Sequence, residues 1–378
     1  MNSIKINGKK LKLPAFFPDA TRGFIKCLSD EDLNKTNSAG VVVNAYHLLK
    51  ENKIKKIKQK KGIHNFMNFK KIILSDSGGF QVMSLIHRNP ELGEILDDKV
   101  IFNLGGKKIN FTPEKCIKTQ IEIKSDIIMC LDECTHSEKN FQKQKQSVLR
   151  TIAWAKKCKK EFEKLTKDKK QKPLILAIVQ GGNYKSLRKF CARELIKVGF
   201  DGYAFGGWPV KNKKNFKSRN SLGLSTSSQQ NKLSNSVENK KLLKGILKYT
   251  AELLPDDKIK YCMGVGKPND ILECAKFGYN LFDCVIPTRD ARHKRLYVFT
   301  GTATANKYFS IKKKIKNPKK RISKFCDCEL CKNYSFQEIY KMFKEKNSNA
   351  QRLATIHNLV FYTEFMNRLD KSLNKNSM

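Results

Sequence analysis

Three aspartates in this sequence each stand at the end of a short apolar run: Asp76, Asp132 and Asp283. An aspartate in such a place often only caps the next helix or turn. Three of them at equivalent ends, with Gly-Gly pairs nearby, favour a shared site instead. Two carboxylates beside a glycosidic carbon suit a displacement that passes through a covalent intermediate.

Glycine pairs and one amide side chain follow the same kind of run, and together they suit a flat ligand. Glycine lets a planar molecule come close to the backbone. Gln180 and the amides around Gly206-Gly207 can read the edge of a planar heterocycle, and Phe80 can stack on its face. A Phe at a strand end is also ordinary core, so stacking is one of two interpretations.

A cysteine cluster near the end of the chain predicts a metal site. Cys326, Cys328 and Cys331 form Cys-x-Cys-x-x-Cys, and His357 follows on a predicted apolar helix face. A lone His on such a face would usually be a core residue, but three nearby thiolates favour ligation. Four filled positions predict a structural zinc site with no place for water and no part in catalysis.

Seven apolar runs, each followed by polar, Gly or Pro residues, predict the strands that position these side chains. The runs cover residues 41–43, 72–74, 127–131, 174–179, 203–205, 261–263 and 281–282. Helical periodicity predicts helices over 141–165, 184–198 and 268–277. This alternation is typical of an α/β protein. We expect a (β/α)8 TIM-type barrel whose active site lies at the C-terminal ends of the strands.

We expect two parts in this chain of 378 residues. The β/α barrel catalytic domain covers 1–310, and a zinc-binding subdomain with C-terminal helices covers 311–378. The Lys-, Asn- and Ser-rich segment 211–240 is predicted to be a mobile basic insertion, either solvated or in contact with substrate. The basic stretch 312–321 likewise either binds phosphates or is a solvated surface.

The charge of the chain is strongly positive, with 76 Lys and Arg against 35 Asp and Glu and a net charge of +41. This excess favours a polyanionic partner, most simply nucleic acid, through phosphate contacts. A Lys-rich composition can also come from an AT-rich genome without selection for binding. No membrane span or secretory signal is predicted. The 12 Cys of the chain suggest a reducing, cytoplasmic environment.

Five motifs follow one another along the chain: Ser75–Gln81, Asp132–Thr135, Val179–Gly182, Met263–Pro268 and Phe282–Arg289. With the cysteine cluster they resemble the tRNA-guanine transglycosylases, in the same order, from about residue 14 to 369. The family exchanges guanine at the anticodon wobble position for a 7-deazaguanine base. Bacterial members insert preQ1 and eukaryotic members queuine. The resemblance implies a zinc-bearing β/α barrel, usually dimeric, with no redox cofactor.

The resemblance also implies roles for individual residues. Asp283 stands at the nucleophile, which attacks the ribose C1′ and expels guanine to form a covalent aspartyl-ribosyl intermediate. Asp76 stands at the carboxylate that handles the proton of the incoming base. The remaining matches are Asp132, Gln180 and Gly207 at the purine edge, Phe80 and Met263 around its faces, Arg289 and Arg292 at the anticodon loop, and the zinc ligands Cys326, Cys328, Cys331 and His357.

One stretch departs from the family pattern. The family usually reads Gly-Gly-Leu-Ala-Val-Gly-Glu where this chain has Gly206-Gly207-Trp208-Pro209-Val210-Lys211-Asn212, so the family's Glu is absent. Pro209 has no N–H, and the Trp208–Pro209 peptide therefore offers a ligand only a carbonyl. We expect Trp208 to contact the base. We also expect a preference for a 7-substituent that donates hydrogen bonds, such as the aminomethyl group of preQ1.

Two alternatives stay open: exchange of 7-deazaguanine bases in DNA by a relative, and a non-catalytic RNA-binding partner subunit. The intact Asp76 and Asp283 favour an active enzyme over an accessory subunit. The cysteine cluster and Arg289-Asp290-Ala291-Arg292 favour tRNA over DNA. We therefore expect a cytoplasmic pentosyltransferase that binds the tRNA anticodon loop, forms a homodimer and associates with no membrane.

Overall fold

The computed structural model describes residues 2–135, 140–207, 242–301, 304, 306–311 and 319–375. Its strands are β1 (Ser3–Ile6), β2 (Lys9–Lys12), β3 (Ala15–Pro18), β4 (Gly40–Asn44), β5 (Ile72–Asp76), β6 (Gly93–Ile95), β7 (Val100–Leu104), β8 (Lys107–Phe111), β9 (Ile127–Met129), β10 (Leu174–Val179), β11 (Gly202–Phe205), β12 (Ile259–Cys262), β13 (Leu281–Cys284), β14 (Arg295–Phe299) and β15 (Asn306–Ser310). Its helices are α1 (Asp30–Lys35), α2 (Ala45–Lys50), α3 (Lys53–Gln59), α4 (Ile63–Met67), α5 (Gly79–Arg88), α6 (Pro113–Glu122), α7 (Phe141–Thr166), α8 (Lys185–Val198), α9 (242–252), α10 (Pro268–Lys276), α11 (Ile286–Arg292), α12 (Glu329–Asn333), α13 (Phe336–Lys344) and α14 (Ser348–Lys375). A short 3-10 turn covers Pro90–Leu92.

Eight parallel strands form the central sheet, in the order β3-β13-β12-β11-β10-β9-β5-β4. The two end strands are joined by a parallel bridge between Asp19 and Val42, and the Ala20 N–H donates to the Val42 carbonyl at 2.8 Å. The sheet is therefore a nearly closed barrel, which confirms the predicted α/β fold. Each of the seven predicted runs overlaps a barrel strand, and β3 is the eighth strand.

The barrel strands are buried on both faces, which is why they read as continuous apolar runs in the sequence. In β10, Leu176 and Ile178 belong to the cluster that fills the barrel interior. Ile175, Ala177 and Val179, on the other face of the strand, pack with residues of the surrounding helices. The predicted helices over 141–165, 184–198 and 268–277 are confirmed as α7, α8 and α10, with ends that differ by no more than one residue.

The N-terminal end of the barrel is covered by the β1–β2 hairpin. Ile6 and Leu11 of this hairpin lie in the same apolar cluster as the interior strand residues. Lys9 lies 3.0 Å from both carboxylate oxygens of Asp126, which directly precedes β9. Because this end is closed, the C-terminal ends of the strands form the face where a substrate can enter.

The C-terminal helices pack against the outside of the barrel. Tyr362 of α14 contacts Phe16 of β3, with ring centroids 4.7 Å apart. Arg352 of α14 forms an ion pair with Asp32 of α1 at 2.6 Å, and a second with Glu329 of α12 at 2.9 Å. Among the described residues, no helix is both long enough and apolar enough to span a bilayer.

Candidate active site and metal cluster

Strand alternation directs four polar side chains toward the barrel axis. Successive side chains of a strand point to opposite faces, so residues two apart share a face. Leu74, Ile178 and Leu281 are interior residues. Two residues beyond each of them along the same strands stand Asp76, Gln180 and Asp283, and Asn44 has the same relation to interior Val42.

Asp283 is half-buried at the end of β13, with one carboxylate oxygen held by two donors. The Tyr261 hydroxyl and the Gly264 N–H each donate to Oδ1 at 2.7 Å. Burial raises the pKa of Asp283 to about 6, and the nearby charge of Asp19 adds to this rise, while the two hydrogen bonds oppose it. Asp283 is therefore mainly ionised at neutral pH.

Asp76 is half-buried at the end of β5 and accepts a hydrogen bond from Asn44. The donor is Nδ2 of Asn44, which lies 2.7 Å from Oδ2 of Asp76. Burial raises the pKa of Asp76 to about 6, and repulsion from the Asp283 carboxylate is the second cause. Both carboxylates stand at the C-terminal ends of barrel strands, Asp76 on β5 and Asp283 on β13, and so lie at the same rim.

Asp132 and Gln180 form a buried pair beside these carboxylates. Nε2 of Gln180 donates to Oδ2 of Asp132 at 2.6 Å. Burial raises the pKa of Asp132 to about 7, with repulsion from Asp76 adding to it and the Gln180 hydrogen bond opposing it. The next residue, Glu133, points away from the site and forms an ion pair with Arg150 of α7 at 2.5 Å.

The Gly206-Gly207 pair lies directly against the Gln180 side chain. A Cβ at Gly206 would lie 2.5 Å from Nε2 of Gln180, and one at Gly207 would lie 2.7 Å from its Oε1. Gly207 also has a φ of +73°, which an L side chain rarely adopts. Larger residues at either position would displace Gln180, so the glycines keep the backbone and this amide in close contact.

The remaining predicted substrate-binding residues lie on the loops and helices that follow the strands. Phe80 is 44% exposed in the first turn of α5, and Met263 is half-buried between Tyr261 and Gly264. Trp208, with the whole segment 211–240, lies outside the described residues, as does most of the basic stretch 312–321.

Arg289 and Arg292 lie on α11, which begins two residues after β13. Residues three apart on a helix share a face. Arg289 is exposed and Arg292 half-buried, so both guanidinium groups can reach a ligand at this rim. A cavity of about 840 Å³ lies outside the barrel wall next to Arg289, between α10, α11 and the β14–β15 hairpin, and the three aspartates do not line it.

The predicted metal ligands converge in a buried cluster of Cys326, Cys328, Cys331 and His357. Their Sγ atoms lie 3.6, 3.5 and 3.3 Å from Nδ1 of His357. Tetrahedral zinc with Zn–S bonds of about 2.3 Å and Zn–N bonds of about 2.0–2.1 Å requires S and N about 3.6 Å apart.

The other ring nitrogen of His357 supports the same interpretation. Nε2 of His357 lies 2.8 Å from the Tyr297 carbonyl, so it carries the proton and leaves the Nδ1 lone pair free for a metal. The cluster is therefore a group that can bind one metal ion.

Two side chains of the site were not predicted from the sequence. Asn44 follows the run 41–43 just as the aspartates follow theirs, so the same positional signal was available. Tyr261 had no such signal, because a Tyr inside an apolar run reads as core. Its ring is indeed buried in the barrel interior, and only its hydroxyl reaches Asp283.

Comparisons with known proteins show which family the chain resembles. The family model described as "Queuine tRNA-ribosyltransferase" matches residues 1–378. The chain is 35% identical to the queuine tRNA-ribosyltransferase of Idiomarina loihiensis over 370 residues, which covers 96% of this chain and 87% of the relative. The relative from Caldanaerobacter subterraneus subsp. tengcongensis is also 35% identical, over 97% of this chain and 88% of its own length. The relative from Buchnera aphidicola subsp. Schizaphis graminum is 35% identical over 95% of this chain and 88% of its own length. The chain therefore belongs to the queuine tRNA-ribosyltransferase family of glycosyltransferases.

Proposed function

We propose that this enzyme exchanges the anticodon wobble guanine of tRNA for a 7-deazaguanine base, preQ1, through a covalent aspartyl-ribosyl RNA intermediate. The observation that carries the proposal is the arrangement around Asp283. One of its oxygens accepts two hydrogen bonds, and the carboxylates of Asp76 and Asp132 share the same rim.

Asp283 is the nucleophile. Its attack on the ribose C1′ forms a C–O bond as the bond to guanine breaks, and the departing base takes up a proton. The incoming base then displaces the aspartate from the opposite side. Two displacements retain the configuration at C1′. One glycosidic bond replaces another, so the exchange needs no ATP.

Asp76 accepts the proton that the incoming base loses when its nitrogen attacks C1′. A pKa of about 6 leaves the carboxylate mainly ionised at neutral pH and able to take up this proton. The proton that Asp76 takes from the incoming base can pass to the guanine that departs in the next exchange, so no proton is gained or lost over the cycle. A single carboxylate can therefore serve both displacements.

Asp132, Gln180 and Gly207 read the edge of the base, and Phe80 and Met263 lie against its two faces. A nucleobase must leave its stack before an enzyme can replace it, so the pocket needs both stacking faces and edge-reading groups. We also place Trp208 at the base, and the preference for preQ1 rests on the Trp208–Pro209 peptide, which offers a carbonyl and no N–H. The hydrogen bond between Asp132 and Gln180 presents both groups to one ligand edge.

Arg289 and Arg292 bind the anticodon loop, and the net charge of +41 supports a polyanionic substrate.

Three thiolates and an imidazole form a donor set typical of structural zinc. Cys326, Cys328, Cys331 and His357 would hold the zinc, which would supply a rigid cross-link. We further propose a cytoplasmic homodimer that acts on tRNA rather than DNA.

Trapping of the covalent intermediate tests the proposal. With 9-deazaguanine present, wild-type enzyme should form a covalent adduct with tRNA, and Asp283→Asn should form none. Asp257→Asn removes an exposed carboxylate from another part of the barrel and should leave the adduct intact. An undiminished adduct in folded Asp283→Asn would remove Asp283 from the role of nucleophile.

A second experiment distinguishes tRNA from DNA as the substrate and preQ1 from queuine as the incoming base. Radiolabelled guanine should enter tRNA and not duplex DNA. Mass spectrometry of tRNA supplied separately with preQ1 and queuine should show incorporation of preQ1. Incorporation of queuine alone would overturn the assigned base and leave the assigned reaction standing.

A further inference from the structure

Arg188 of α8 is completely buried behind the base-reading groups. Its guanidinium donates to three backbone carbonyls, from Nε to Gly182 at 2.8 Å, from Nη2 to Gly206 at 3.0 Å and from Nη1 to Val179 at 3.2 Å. It also lies over the ring of Phe205, with 4.1 Å from Cζ to the ring centroid. Burial lowers the pKa of Arg188 to about 10, so the group stays charged at neutral pH.

No carboxylate among the described residues forms an ion pair with Arg188. A buried cation without a carboxylate is costly unless its hydrogen bonds are satisfied. Here the three carbonyls come from the ends of two neighbouring strands, β10 and β11, and from the Gly-Gly turn after β10. The planar fork of an arginine can bridge all of them at once, which the single ammonium of a lysine cannot.

The contact with Gly206 fixes the direction of the next amide. In a trans peptide the carbonyl and the following N–H point in opposite directions. The Gly206 carbonyl faces Arg188, and the Gly207 N–H is therefore turned away from the guanidinium. Burial raises the pKa of the Cys134 thiol, and the backbone of Gly207 opposes this rise. A Cβ at Gly207 would lie 2.7 Å from Oε1 of Gln180, so this peptide lies beside the base-edge groups.

The turn after β10 is packed equally closely against Arg188. A Cβ at Gly181 would lie 2.7 Å from the backbone N of Arg188 and 2.9 Å from its Cγ. Arg188 thus packs against Gly181, which follows Gln180. It also donates a hydrogen bond to the carbonyl of Gly206, which precedes Gly207. Any shift of its side chain would change the distance between these two base-reading groups.

We propose that Arg188 is a positioning residue that aims the Gly207 N–H at the 6-oxo oxygen of the base and holds it in register with Gln180. The inference rests on the proposed base exchange. Guanine and a 7-deazaguanine base differ at position 7 and share the 6-oxo acceptor. A single N–H directed at this oxygen can therefore read both the departing base and the incoming base.

Three variants test this role: Arg188→Gln, Arg188→Lys and the control Arg193→Gln. Arg193 lies on the same helix, and its side chain is 61% exposed beside Glu194. In Arg188→Gln the KM for guanine should rise about tenfold or more, while kcat at saturating guanine and the KM for tRNA change less than about threefold. Arg188→Lys should lie between wild type and Arg188→Gln. The control should match wild type.

A base analogue distinguishes a positioning role of Arg188 from a general structural role. Wild-type enzyme should discriminate strongly against a guanine analogue that lacks the 6-oxo oxygen, and the position-188 variants should discriminate less. A folded Arg188→Gln with an unchanged KM for guanine and unchanged discrimination would overturn the proposal. If Arg188→Gln does not fold, the same two measurements on Arg188→Lys decide. Absence of any exchange by wild-type enzyme would instead refute the proposed function.

Discussion

The hydroxyl of Tyr261 donates a hydrogen bond of 2.7 Å to Oδ1 of Asp283. Both side chains point into the barrel from neighbouring strands, β12 and β13. With the Gly264 N–H on the same oxygen, this contact orients the carboxylate. Among the described residues no hydrogen bond reaches Oδ2, so this oxygen is the one we assign to the attack on the sugar.

Replacing Tyr261 with Phe removes one of these donors and leaves the buried ring in place. A donor to a carboxylate favours the charged form, so its loss raises the pKa of Asp283 further above the ordinary value. Because the role of nucleophile that we propose for Asp283 requires its ionised form, the acid limb of kcat/KM should move to higher pH. Guanine exchange measured from about pH 5 to 9 tests this prediction.

Tyr279→Phe is the matched control for that variant. Tyr279 is another buried tyrosine, and its hydroxyl donates to the Leu247 carbonyl at 3.0 Å, away from the carboxylates. Its loss should leave the acid limb where it is in wild type. An unshifted limb in folded Tyr261→Phe would show that the hydroxyl does not control the ionisation of Asp283.

Asn44→Asp should impair the proton transfer assigned to Asp76. The substitution keeps the side-chain oxygen that caps α2 at the His47 N–H, and it replaces the donor to Asp76 with a like charge. The pKa of Asp76 should rise, and exchange near neutral pH should fall by about tenfold or more. Asn140→Asp also keeps its cap, at the start of α7, and should show wild-type rates. Equal rates in both variants would contradict the assigned role.

The sequence predicted the barrel well because its strands are buried on both faces and read as apolar runs. The strand β3 escaped prediction, since Ala15–Pro18 is short and ends in a proline. The three-stranded sheet of β6, β7 and β8 was also missed. Its β8 alternates exposed and buried residues only weakly, and β6 has three residues.

The strand ends identified the residues that reach the site. The groups that orient these residues or shift their pKa values come from elsewhere in the chain. Asp76, Asp132 and Asp283 could be found because each follows an apolar run. The donor Tyr261 could not, because its hydroxyl direction depends on the neighbouring strand. Arg188 reads in the sequence as one more charge on a basic helix. Only its complete burial distinguishes it from Arg193.

Loss of one metal ligand should destabilise the C-terminal region without abolishing the chemistry of the barrel. Cys328→Ala opens the tetrahedral cluster, and the variant should lose its metal and about 4 kcal/mol or more of stability. Metal analysis of purified protein should give about one zinc per wild-type chain. Cys27→Ser changes a half-buried cysteine outside the cluster and should keep the metal. A fully metallated, normally stable Cys328→Ala would contradict the structural role.

Arg352→Met should destabilise the contact between the barrel and the C-terminal helices. Arg352 holds both Asp32 of α1 and Glu329 of α12, and the Asp32 side chain is only 4% exposed. Removing the cation leaves a buried carboxylate unpaired. Unfolding by denaturant should show a loss of about 2–3 kcal/mol, below that of a fully buried pair because water reaches part of Arg352. Lys341→Met, which breaks an exposed pair on α13, should cost less than about 0.5 kcal/mol.

The cost of Arg352→Met should also depend on pH with a defined sign. Burial raises the pKa of Asp32, but hydrogen bonds and the charge of Arg352 oppose it, and the net pKa lies below the ordinary 3.8. A carboxylate with a lowered folded-state pKa stabilises the protein above its unfolded pKa and loses this effect as pH falls through the folded value. The stability difference between wild type and variant should therefore be largest near neutral pH and shrink below about pH 4. A difference that stays constant down to acid pH would mean that the ion pair contributes nothing and that Arg352 stabilises through packing alone.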